Sequence, residues 1–132
     1  MAVVRPSAYA IIKDSLGRLA VLRTPMGVFL PGGGIEEGEA AREAVRREAR
    51  EECGLTLRLG SWTAHAVQFV YSELERTHFE KRSTFVSAFP LLRDRASEED
   101  HDLVWATAGS AASLLSHESH RWAVDAWRRA ST

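Results

Sequence analysis

The sequence predicts an α+β or α/β fold with a mixed sheet, formed as one domain over residues 1–132. Three observations point there. The length suits a single domain that buries its own core, strand-like runs dominate the middle of the chain, and helix-forming segments flank them. No internal repeat, low-complexity tract or linker divides it.

Ser7 to Lys13 is apolar and β-prone, Asp14 to Arg18 is a turn signal, and Leu19 to Arg23 is expected to return as the second strand of a hairpin. Val28-Phe29-Leu30 follows as a short strand before the cluster Pro31-Gly32-Gly33-Gly34. Gly38 to Cys53 is rich in strong helix formers, and Gly54 stands where a left-handed C-terminal residue belongs. Leu55 to Leu59, Trp62 to Tyr71 and Thr77 to Phe89 read as strands, the last alternating Phe79, Lys81, Ser83 and Phe85 against His78, Glu80, Arg82 and Thr84. Pro90 to Asp100 reads as a charged loop, Leu103-Val104-Trp105 as a short strand, and the tail from Ser110 as helix with Trp122, Ala126 and Trp127 facing the core.

Apolar residues make up 45% of the chain and charged residues 27%, an ordinary globular balance, and the formal net charge is -1. That charge offers no general basic field to nucleic acid or to an anionic membrane. Cys53 is the single cysteine, so no disulfide forms within the chain. The N-terminus lacks a long apolar segment, and no stretch approaches membrane-spanning length. A soluble cytoplasmic protein is the expectation, with a homodimer left open.

The segment from Gly38 breaks the burial rule. On a wheel at about 100° per residue, Ala41, Ala44, Val45, Ala49 and Cys53 form the core-facing stripe, with Glu43, Arg46, Arg47 and Arg50 opposite. Glu48 and Glu52 fall inside the apolar stripe, and Glu51 lies at its edge. Carboxylates rarely face a core without partners, and three at this spacing repel one another unless a cation sits among them. Hard oxygen donors on one helix face suit Mg²⁺ or Mn²⁺, which bind through a few carboxylates plus substrate phosphate. The wheel alone leaves a rotated helix with a solvated acidic face as the alternative. The glycine cluster before the helix allows close backbone approach to a ligand. It has neither the Lys-Ser/Thr of a P-loop nor the spacing of a dinucleotide fingerprint.

Read as one unit, Gly33 to Leu55 (GGIEEGEAAREAVRREAREECGL) resembles the Nudix box: Gly, five residues, Glu, seven residues, then REUxEExGU with U a bulky aliphatic. Gly33, Glu39, Arg47, Glu48, Glu51, Glu52 and Gly54 fill all seven fixed positions. At roughly one chance in fifteen for each, joint coincidence is below about one in a million. Ala49 stands where a larger aliphatic is usual. Val28 to Gly33 and Glu99 to Trp105 resemble flanking segments of the family, with Phe29 where Trp is commoner.

The resemblance implies an α/β/α sandwich with a mixed sheet and a metal-dependent hydrolase that cleaves the pyrophosphate linkage of a nucleoside diphosphate derivative. It implies Glu48 and Glu52 as principal metal ligands, Glu51 as third ligand or base, and the Gly32 carbonyl as a further ligand. Glu39 and Arg47 become a structural pair that fixes the loop and orients the ligands. Some family members take the general base from a later loop, where Glu98 and Glu99 are the candidates, with Glu99 preferred. Arg23, ending its strand before the loop, is a candidate phosphate contact, and Tyr71 lies near a tyrosine of dinucleoside polyphosphate hydrolases.

Lys81 and Arg82 point to opposite faces of one strand, so at most one reaches the substrate. His65, His78 and His101 form no metal-ligand spacing and read as structural or surface, and His117 and His120 as capping or packing the last helix. Trp62, Trp105, Trp122 and Trp127 read as core. No proline lies between Gly54 and Phe89, which disfavours the ADP-ribose pyrophosphatase pattern. Nucleoside triphosphates and dinucleoside polyphosphates stay open as substrates. The rival class is a non-catalytic Nudix-fold nucleotide-binding module, but such domains typically lose box glutamates and none is lost here.

Overall fold

The computed structural model describes residues 2–96 and 101–131. In chain order the elements are β1 (Val3–Ile12), β2 (Leu19–Thr24), β3 (Gly27–Phe29), β4 (Gly32–Gly34), α1 (Ala41–Cys53), β5 (Leu55–Ser72), β6 (Thr77–Arg93), β7 (Asp102–Ala106), α2 (Ala108–Leu114) and α3 (Glu118–Ala130). They build a four-stranded mixed sheet ordered β4-β1-β6-β5 and a three-stranded sheet ordered β3-β2-β7. β1 runs parallel to β6, from Val3 opposite Phe79 to Ile12 opposite Ala88.

Alternation along β1 sorts the core into two layers. Ala8, Ala10 and Ile12 pack with Ala44, Val45, Ala49 and Cys53 of α1, while Tyr9 and Ile11 pack with Phe85 of β6 and Val124 and Trp127 of α3. The strands therefore lie between α1 on one side and α2 with α3 on the other, the sandwich that the resemblance implied. Ile11, Ile12, Leu19 and Phe85 are fully buried, each contributing about 2 kcal/mol of transfer free energy. Among the described residues no helix is long and apolar enough to cross a membrane.

Several expectations are corrected. The Asp14–Arg18 turn forms, with Asp14 Oδ1 accepting from the amides of Leu16 and Arg18, yet β1 and β2 do not make a hairpin. They share one bridge, Lys13 with Leu19, and then diverge into different sheets, because β1 takes β4 and β6 as partners and β2 takes β3 and β7. The glycine cluster is itself a strand, with Gly32 opposite Tyr9 and Gly34 opposite Ser7. The two strands expected between Leu55 and Tyr71 are one, β5, irregular between Leu59 and Thr63, and β6 continues through Pro90 to Arg93 by pairing with the start of β5. The tail is two helices broken near Leu115, and Trp122 is exposed where a core position was expected.

α1 begins at Ala41, later than the segment expected from Gly38, and the Glu43 carboxylate accepts the Ala40 amide at its entry. Gly54 ends the helix in the left-handed region at φ 68°, as expected from its position.

His120 of α3 is fully buried among Tyr9, Phe29 and Phe85, and its Nδ1 accepts the Leu30 amide at 3.2 Å. Burial, and then the fields of His117 and Lys81, push its pKa well below the ordinary 6.5. The folded protein holds it neutral while the unfolded chain binds a proton, so stability is lost as pH falls below about 6.5. Unfolding free energies from denaturant titrations at pH 7.5 and 5.5 are expected to differ by roughly 1 kcal/mol. In His120→Asn, which keeps an acceptor for Leu30, that difference should shrink; equal slopes in both proteins would remove His120 as the cause.

Candidate active site

Arg47 organises the acidic face of α1. Its Nε and Nη2 grip both carboxylate oxygens of Glu39 at 2.8 and 2.9 Å, and Nη2 also donates to the Gly34 carbonyl at 3.0 Å. Nη1 reaches Glu48 at 2.8 Å and Glu51 at 3.3 Å. A planar fork with five donors suits this task as an ammonium would not. The Arg47 hydrogen bonds, with one from the Glu36 amide, hold the Glu39 carboxyl down to about 2, and Glu39 in turn keeps Arg47 more firmly protonated than usual. The loop before α1 is thereby tied to the helix at the level of the acids.

Glu48 and Glu52 lie on the inner side of that knot, with side chains 14% and 11% exposed, whereas Glu51 is 39% exposed. Glu52 Oε1 accepts the Gly32 amide at 2.8 Å. A Cβ on Gly33 would stand 3.0 to 3.3 Å from the Glu48 carboxylate, so the glycine strand leaves that carboxylate close against bare backbone. Gly32 adopts φ 150°, and a Cβ there would lie 2.2 Å from the Ala8 carbonyl oxygen and 2.6 Å from Tyr9. Close approach to backbone requires glycine at position 32.

Among the described residues no three acidic, histidine or cysteine side chains gather tightly enough to enclose a cation by themselves. The donor set still fits Mg²⁺ or Mn²⁺, which retain waters and take substrate oxygens. Glu48, Glu51 and Glu52 bring hard anionic oxygens to one helix face, and β4 brings backbone beside them.

From Glu52 a cleft opens where the two sheets diverge. Its inner hollow, about 270 Å³, is lined by Gly32, Glu52, Tyr9, Lys81, His101 and His117, with Leu22, Thr24, Met26, Phe29 and Leu30. Met26, Phe29, Lys81 and His117 also line an outer hollow of about 310 Å³. Lys81 Nζ donates to the Tyr9 hydroxyl at 2.9 Å, and among the described residues no carboxylate pairs with it. An ammonium is thus shared by the two hollows. His117 stacks on Phe29 with ring centroids 5.0 Å apart, and burial, then Lys81 and Arg121, lower its pKa.

The structure brings Glu39, Arg47, Glu48, Glu51, Glu52 and Gly32 into one neighbourhood. It does not bring Arg23 or Tyr71 to the acids. Arg23 is exposed between Leu22 and Thr24, which face the cleft, and lies opposite Asp102 of β7. Tyr71 touches the rim of the outer hollow, but its ring packs on His78 at 4.7 Å, on the hairpin face away from Phe79 and Lys81. Glu98 and Glu99 lie outside the described residues.

Strand alternation left Lys81 or Arg82 as the residue able to reach substrate, and Lys81 is the one on the cleft. Arg82 pairs with Glu80 on the other face. His101 and His117 were read as surface or packing residues, yet both line the cleft, and His101 Nδ1 stands 3.8 Å from Glu52 Oε2. Their positions arise from tertiary folding and carry no local spacing signal.

The NUDIX domain family matches residues 3–127. No curated protein matches the chain in sequence. The fold is similar to that of an Ap4A hydrolase from C. elegans (TM-score 0.76, 18% identity, 95% of this chain and 96% of that one). It is similar to a MutT protein from Methanosarcina mazei Go1 (TM-score 0.74, 20% identity, 99% and 97%). A dihydroneopterin triphosphate pyrophosphohydrolase from E. coli also shares it (TM-score 0.66, 24% identity, 93% and 95%). At these identities the likenesses establish the fold alone.

Proposed function

The chain belongs to the NUDIX family, and we propose that it hydrolyses, with a divalent metal ion, the pyrophosphate linkage of a small nucleoside diphosphate derivative such as a nucleoside triphosphate or dinucleoside polyphosphate. One observation carries this reading. The inner hollow is lined both by Glu52, which shares α1 with Glu48 and Glu51, and by Lys81. A polyphosphate needs cationic partners along its length, and this cleft offers one of its own and a place to bind another.

Glu48 and Glu52, with Glu51 and the Gly32 carbonyl, would hold Mg²⁺ or Mn²⁺, which when bound supplies charge neutralisation at phosphoryl oxygen and a water of lowered pKa. Arg47 orients the Glu48 and Glu51 carboxylates through the bonds described above. Lys81, steadied by Tyr9, neutralises charge on the phosphates and fixes the chain for in-line attack. Glu51, the most exposed of the three helix acids, and Glu99 are the candidates to accept the proton of the attacking water.

A panel of nucleoside triphosphates, dinucleoside polyphosphates, nucleotide sugars and ADP-ribose, assayed with Mg²⁺ and with Mn²⁺, tests the reading. Turnover of triphosphates or dinucleoside polyphosphates supports it, and inertness toward the whole panel would favour the non-catalytic binding module. Lys81→Met, which keeps the side chain's length and apolar stem, is expected to lower kcat/KM by about 10- to 100-fold through loss of a charged hydrogen bond. Unchanged kcat/KM would separate Lys81 from the substrate.

A further inference from the structure

β5 ends the four-stranded sheet, so one of its edges has no strand beside it among the described residues. Its straight stretch begins at Thr63, where the irregularity after Leu59 ends. It closes at Tyr71, before Ser72 enters the turn and its Oγ accepts the Glu75 amide. From Thr63 to Tyr71 there is no Lys, Arg, Asp, Glu or Pro. Soluble proteins ordinarily blunt a free edge with such residues, because its unpaired amides and carbonyls template another strand. Here the charges sit instead on the inner neighbour, as Glu80, Lys81 and Arg82 of β6.

Alternation sends Thr63, His65, Val67, Phe69 and Tyr71 to one face of the sheet. Val67 is 57% exposed, Phe69 70% and Tyr71 50%. Between the strand and the start of α3 runs a groove of about 440 Å³, lined by His65 to Gln68 with Glu118, Ser119 and the exposed Trp122. The Ser119 amide donates to Gln68 Oε1 at 3.0 Å, which fixes α3 as the wall of that groove. An uncharged strand edge thus carries exposed apolar side chains along it and an open groove beside it.

We propose that this edge is a self-association surface, on which two copies pair β5 to β5, antiparallel, about a two-fold axis at Val67. The axis falls there because Val67 is the midpoint of the straight stretch. Each edge supplies the donors and acceptors that the other lacks, and the two four-stranded sheets become one. Val67 faces its own symmetry mate, Phe69 faces the second copy's His65, and Tyr71 faces its Thr63. No like charges are opposed. A second copy is the matched occupant, since it brings an uncharged free edge of equal length and the two-fold satisfies both edges at once. Phe69, Tyr71 and Trp122 leave roughly 100 Å² each uncovered. With Val67 that approaches half of the ~800 Å² per partner in a specific interface, and the paired backbones and groove walls supply the rest.

Sedimentation velocity from about 1 to 100 µM tests this, a range in which an interface of this size is populated. Wild type is expected to sediment with the mass of two chains. Val67→Lys sets two ammonium groups against each other on the axis, at an exposed position that the fold does not need. It should weaken dimerisation by about 100-fold or more while the circular dichroism of the folded chain is kept. Val67→Cys reads the register. Cys53 is buried, so the new thiol is the accessible one, and mild oxidation should link two copies whose opposed Cα atoms lie about 5 Å apart. Phe69→Cys should stay unlinked, because its own mate lies about 13 Å away along the strand. Wild type that stays monomeric throughout would leave the edge to a different occupant and overturn the proposal. A dimer that Val67→Lys leaves intact, or equal linking of the two cysteines, would overturn it as well.

Discussion

Replacing Glu52 or Glu48 by Gln is expected to lower metal-dependent turnover on the order of 10³-fold while moving the thermal midpoint by less than about 4 °C. The substitution changes charge and very little else. A glutamine at position 52 still has a carbonyl oxygen for the Gly32 amide, which now donates to Glu52 Oε1 at 2.8 Å. One at position 48 still has an acceptor for Arg47, now 2.8 Å from Glu48 Oε1. What disappears is an anionic oxygen that a divalent cation prefers over a neutral amide. Thermal melting and a Mg²⁺-dependence curve on both variants provide the check. Full turnover in both would dismiss α1 as the metal face, and a collapsed midpoint would make the acids structural.

Gly32→Ala is expected to cost about 3 kcal/mol or more, with activity lost as well, because a Cβ at φ 150° has neither a comfortable backbone nor space. The new atom would meet the Ala8 carbonyl oxygen at 2.2 Å and the Tyr9 Cα at 2.6 Å, both on the neighbouring strand, so β4 could not stay paired with β1. Gly34→Ala is the control, with nothing within 4 Å of its added Cβ, and should lie within about 0.5 kcal/mol of wild type. Denaturant midpoints of the two variants, measured together, decide the matter. Near-equal midpoints would mean that β4 does not approach β1 this closely.

The acidic knot was legible in the sequence because its parts are local. Glu39, Arg47, Glu48, Glu51 and Glu52 come from one loop and one helix, where the 3.6-residue period marks the acids that fall among apolar neighbours and the motif resemblance supplies the Glu39–Arg47 pair. The cleft was less legible. Tyr9, Lys81, His101 and His117 come from β1, β6, the entry to β7 and the entry to α3, and only the sheet order makes them neighbours. The glycine strand escaped notice because glycine lowers strand propensity, and here its lack of a side chain is what lets β4 lie against β1 and the acids. The hairpin expected after Asp14 failed for the opposite reason. The turn chemistry was right, but each flanking strand had better partners elsewhere.

The parallel pairing of β1 with β6 has a temporal side. Val3 must find Phe79, and Ile12 must find Ala88, so the first strand made has no β6 partner until most of the chain is present. Closing so long a loop is entropically unfavourable before any contact rewards it, and non-local pairing of this kind puts folding toward the millisecond-to-second end of the range. β5 and β6 are joined by a short turn and pair antiparallel, and α1 is local, so both can form early. α1, with its acids, can therefore form before the cleft, which needs β1 and β6 together. Lys81 meets Tyr9 only when the slowest strand docks, and the cleft is among the last parts of the molecule to be completed.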